Sequence, residues 1–184
     1  WVLASLITGF IVALVTIFKK EFSPVTAPLY AALEGVVLGS ISAVYEAQYH
    51  GIVFQSVALT FGTLFVMLAA YRSGAIEPTE RFRMGVLSAT GAVLLLYMID
   101  LGLMLFTSHR VPFIHESGPF GILFSLFVVG LAALHLVLDF DMIASGARAG
   151  APAYMEWYGG FGLLVTLIWL YMEVLRLLSK TRKR

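Results

Sequence analysis

The sequence predicts an all-α, polytopic helical membrane protein with a single transmembrane domain over residues 1–184 and six spanning helices. Three observations carry this. Hydrophobic residues make up 60% of the chain and charged residues 12%, against about 45–50% and about 25% in soluble domains. The apolar residues fall into six runs long enough to cross a ~30 Å hydrocarbon layer as helix, which takes roughly 20 residues. No strand-like alternation of barrel length recurs, which argues against a β-barrel. Net charge is +1, which suggests no nucleic-acid partner. There is no Cys, which excludes disulfides and thiolate metal sites.

The runs cover about 1–18, 28–47, 52–71, 83–106, 119–144 and 153–179. The first opens at Trp1, already inside an apolar stretch, so either the N-terminus reads as trimmed or the chain as a fragment. It ends at Lys19-Lys20-Glu21 with no small-residue cleavage site, which marks a spanning helix and not a signal peptide. The breaks that follow are KKEFSPVTAP, QYHG, RSGAIEPTER, TSHRVPFIHESGP and SGARAGAP. Each combines Gly or Pro with charge or polar side chains, the chemistry of turns.

Orientation follows from Lys and Arg in short loops. The first, third and fifth loops hold Lys19, Lys20, Arg72, Arg81, Arg83 and Arg148, whereas the second and fourth hold only Arg110. The odd loops are therefore expected in the cytoplasm. The basic tail KTRKR conflicts with this, because six helices put it on the other side.

Ionisable residues inside the runs are the functional candidates, since one at a helix centre costs about 2.5–3.5 kcal/mol to insert. They are Glu34, Glu46, Asp100, His135, Asp139, Asp141, Glu173 and Arg176. At about 100° per residue, His135 and Asp139 share a face with Met142, and Asp141 points nearly opposite. Asp139 is expected to face the bundle interior, and Asp141 to reach water or a loop Arg. Glu173 and Arg176, three apart, can pair. Gly35 and Gly39, with Ser40, form a small-residue stripe suited to close helix packing.

Several chemistries lack their parts. No Lys lies within a span, which removes a Schiff base. H-E-x-x-H, G-x-S-x-G and phosphate-loop patterns are missing. His50, His109 and His115 fall in loops, and the His135/Asp139 pair alone does not complete a metal site. No catalytic residue and no cofactor are expected. Intramembrane carboxylates without a catalytic partner suit a cation pathway or a pH sensor, and their oxygens suit Ca²⁺.

Three stretches carry a resemblance: Tyr30-Ala-Ala-Leu-Glu-Gly-Val-Val-Leu-Gly39-Ser40, LVLDFDMI, and WLYMEVLRLL. The chain resembles the transmembrane Bax inhibitor motif family over nearly all its length. It looks most like a bacterial subgroup with GIVFQSV, FSLFVVGLAALHLVLDFD and APAYMEWYGGFGLLVTLIWLY. The resemblance implies a seven-helix fold with the last helix central, so that this chain lacks the first. Seven helices also reconcile the tail with the loops. It implies a multi-pass protein of the bacterial inner membrane, linked to pH-sensitive calcium leak. In bacterial members an Asp of the sixth helix pairs with an Asp of the seventh, and an Arg at the end of the second latches onto the former. Carried over, Asp139 is the sixth-helix Asp, Lys19 or Lys20 stands near the latch Arg, and Thr166 stands where the second Asp is expected. Glu34, Asp141, Glu173 and His135 are secondary candidates for the ion pathway or sensor. The alternative reading is a module without transport that modulates a membrane quality-control protease.

Overall fold

The computed structural model describes residues 1–107 and 118–182. His109, Arg110 and His115, and Lys183 and Arg184 of the tail, lie outside the described residues. Among the described residues six α-helices follow in order: α1 Val2–Phe18, α2 Ser23–Gln48, α3 Ile52–Arg72, α4 Glu80–Thr107, α5 Pro119–Arg148 and α6 Tyr154–Arg182. A 3₁₀ turn, Lys20–Phe22, links α1 to α2.

Five of these helices are long and apolar enough to cross a membrane. The sixth, α1, is a shorter apolar helix, so the six apolar helices expected from the sequence are all present. Helix α1 has 17 residues, about 25 Å at 1.5 Å per residue, the lower end of the range for a span. Helix α2 begins earlier than the turn chemistry of KKEFSPVTAP implies. Pro24 occupies its first turn, where an N–H has no partner anyway. Pro28 sits inside the helix and leaves the Pro24 carbonyl without its amide.

Helix α6 is central. It packs against α2, α3 and α5, whereas α1 leans on α2 and α4 on α5. One shared core joins Ala132, Leu136 and Phe140 of α5 to Leu170 and Val174 of α6. The apolar stretches of α5 and α6 are 39% buried and that of α4 only 6%, so α4 is a peripheral helix facing the surroundings.

Local chemistry fixes the two ends of the bundle. Gly51 takes a left-handed φ of 77° to start α3. The Glu46 carboxylate then accepts hydrogen bonds from the Gly51 and Val53 amides, which would otherwise be bare at a helix start. Arg182 donates to the His50 carbonyl and to Gln55, so the end of α6 lies beside the second loop. At the opposite end Ser23 donates to the Tyr154 carbonyl at 2.6 Å, tying the first loop to the fifth. Lys20 and Arg83 also lie at this end, where they contact Tyr158 and Asp141.

Candidate functional site

The seam between antiparallel α5 and α6 carries the buried ionisable chemistry. Along it, three side chains of α5 meet three positions of α6 in register. His135 lies edge-on to Trp169 with ring centroids 6.2 Å apart. The carboxyl of Asp139 interacts with the Thr166 hydroxyl. The Met142 methyl lies 3.3 Å from where a Cβ on Gly162 would stand. The spacing of these residues, four then three along α5, is that of one helix face.

Asp139 is 7% exposed and Thr166 4% exposed. Asp139 lies nine residues from the end of α5 at Arg148, about 14 Å along the axis, well away from the loop. Its Oδ2 is buried and has no hydrogen-bond partner among the described residues. Its Oδ1 lies 3.8 Å from the missing Cβ of Gly162. The close approach is set one turn further on, where a Cβ on Gly159 would stand only 2.7 Å from Cγ1 of Ile143. A Cβ at Gly159 would have to displace Ile143, so the glycine lets α6 approach α5 closely near Asp139. A buried carboxylate oxygen with no partner takes a proton, a water or a cation. Thr166 supplies a hydroxyl, and therefore cannot share a proton as a second carboxylate would.

The other candidates are dispersed. Asp141 faces away from this seam. Its Oδ2 accepts from Arg83 Nη2 at 2.8 Å, its Oδ1 accepts from Tyr71 at 3.4 Å, and Arg148 lies 3.9 Å off. It clasps α3, α4 and α5 together at the loop end. Glu173 is 2% exposed and is neutralised by Arg176, whose Nη1 lies 3.1 Å from Oε1. The Tyr97 hydroxyl of α4 donates to the same carboxylate at 2.8 Å and accepts from Arg176 at 2.7 Å. Glu34 is half-buried, with Oε1 3.6 Å from the absent Cβ of Gly9 on α1.

Two expectations are corrected. Gly35 and Gly39 are exposed, and among the described residues no neighbouring helix comes within 4 Å of where their Cβ atoms would stand. The glycines that admit a neighbour are Gly9, Gly159 and Gly162, because they lie on the faces turned inward. The lysine latch is not formed either. Lys20 Nζ rests 4.9 Å above the Tyr158 ring, and Lys19 is an exposed cap at the end of α1. Among the described residues no ion pair joins either lysine to Asp139. The aromatic face of Tyr158 holds the Lys20 cation, and Arg83 is the cation that grips a carboxylate of α5, Asp141.

Three participants were invisible in the sequence. Tyr97 and Arg83 act across helices, which periodicity along one helix cannot register. Lys180, read as tail, is 4% exposed and donates to the Gly121 carbonyl at 3.0 Å and to Ser125 at 2.9 Å. Among the described residues no three of His, Asp and Glu converge as a metal site.

Fold and site together define a multi-pass helical membrane protein in which a central helix pair buries a carboxylate with one oxygen left unbonded. A family model described as Bax inhibitor 1 like matches residues 1–183, and the chain belongs to that family. Neither the curated proteins nor the solved structures return a match.

Proposed function

We propose that the chain forms a pH-sensitive leak path for Ca²⁺ or a similar cation, with Asp139 as its gate. The single observation that carries this is the unbonded, buried Oδ2 of Asp139 at the α5–α6 seam. An ionised carboxylate there needs a cation or water, and a protonated one does not. Protonation therefore switches the affinity of this position for a cation. The Thr166 hydroxyl offers a neutral oxygen opposite, a hard ligand of the kind Ca²⁺ accepts. The family resemblance carries the same expectation. Asp141 and Glu173 take the part of structural clasps, since each is already neutralised by arginine.

The test is Ca²⁺ uptake by liposomes holding the purified protein. Uptake above that of empty liposomes, lost in Asp139→Asn, is expected. Uptake equal to that of empty liposomes would favour the module without transport, read by co-purification of a membrane protease.

A further inference from the structure

Between the peripheral helix α4 and the central α6 lies a cavity of about 450 Å³, within the ~300–1,000 Å³ of small-ligand sites. Its wall runs from Val165 to Arg176 along α6; that separation of eleven residues is about 16 Å of helix. Most of that length is apolar, formed by Trp169, Met172 and Val165 of α6 and Leu94 of α4. Leu94 is 60% exposed and Val165 38%, so the cavity has a side opening toward the acyl region of a membrane.

One end carries charge. Arg176 lines the cavity, and its side chain keeps 30% exposure. Its bonds to Tyr97 and Glu173 all use Nη1; Nε and Nη2 take no part in them. Those two nitrogens form the edge of a guanidinium that grips a carboxylate with two parallel hydrogen bonds. Arg176 also lies six residues, about 9 Å, from the end of α6 at Arg182, within reach of the interface for a side chain of this length. A long apolar wall, a side opening and a half-used guanidinium at one end match a single-chain anionic amphiphile.

We infer that this cavity binds a long-chain carboxylic acid, with the carboxylate on the Nε–Nη2 edge of Arg176 and the chain against Trp169 and Met172. The cavity borders the Asp139 seam at Thr166, but its test reads ligand binding and needs no flux.

Of the three tryptophans, Trp1, Trp157 and Trp169, only Trp169 lines this cavity. In a Trp1→Phe, Trp157→Phe background its fluorescence reports contact with a brominated ligand. Protein in zwitterionic nanodiscs is titrated with dibromostearate. Saturable quenching is expected. Half-saturation should weaken about tenfold or more when the charge-assisted bonds are lost in Glu173→Gln/Arg176→Gln, which leaves no lone buried charge. Val165→Phe, which fills the cavity and touches no charge, should weaken it likewise. Quenching that rises without saturation, or curves that are unchanged in both variants, would overturn the inference. Equal quenching by brominated phosphatidylcholine would overturn it as well, since the acid group would then be irrelevant. Saturable quenching by brominated phosphatidylglycerol but not by dibromostearate would reassign the anion to a lipid headgroup and overturn the fatty acid.

Discussion

Removing Arg176 tests the electrostatic logic of the bundle most sharply. Its partner Glu173 is 2% exposed and holds Arg176 Nη1 at 3.1 and 3.2 Å. In Arg176→Met the carboxylate keeps only the Tyr97 hydroxyl, donated at 2.8 Å. Breaking a buried pair from one side costs about 3–5 kcal/mol, because the remaining charge is left in an apolar medium. At roughly 2–4 °C per kcal/mol for a chain of this size, the midpoint should fall by about 6–20 °C. Removing both charges in Glu173→Leu/Arg176→Met should be close to neutral, since well-packed apolar replacements of buried pairs often are. The assay is a thermal melt of detergent-solubilised protein followed by the monodisperse fraction. The reasoning fails if the double variant loses as much as the single one. Removing the stranded carboxylate would then bring no relief, and that charge would not be the source of the loss.

Other outcomes follow from the same contacts. Gly159→Ala drives a Cβ to 2.7 Å from Ile143 Cγ1 and should cost about 1–3 kcal/mol by overpacking, with much of the loss recovered by Ile143→Ala in a melt. Gly162→Ala meets the flexible end of Met142 at 3.3 Å and Asp139 Oδ1 at an ordinary contact distance of 3.8 Å, so its melting point should shift far less. Arg83→Ala breaks a clasp whose arginine is 45% exposed; it should cost no more than about 1 kcal/mol, and the loss should shrink at high salt. Glu46→Ala uncovers the Gly51 and Val53 amides, which should then exchange their hydrogens faster in deuterated buffer, with the start of α3 fraying first.

Much of this was legible because lipid imposes simple rules. The runs and breaks of hydropathy located all six helices, and the 100° rotation separated Asp139 from Asp141 before any coordinates. Thr166 was matched to Asp139 through the family resemblance, and the two do face each other. The errors have physical causes. Prolines read as loop signals, yet Pro24 falls where a helix tolerates one. A small-residue stripe reads as a packing face, yet spacing alone does not say which side of α2 turns inward, and Gly35 and Gly39 turn outward. The latch was assigned by position along the chain, whereas the outcome depends on which ring or carboxylate each cation meets in space. The Tyr97–Glu173–Arg176 cluster joins α4 to α6, and a pairing between distant helices leaves no local trace.

The central claim is that the unbonded Asp139 oxygen responds to protons and thereby controls a cation. The direct measurement is Ca²⁺ flux into liposomes across a series of pH values, with wild-type protein and Asp139→Asn side by side. The account predicts that wild-type flux changes with pH and that the Asn variant shows a flat profile, since its amide does not titrate in this range. Equal flux and an equal pH response in the two proteins would contradict it.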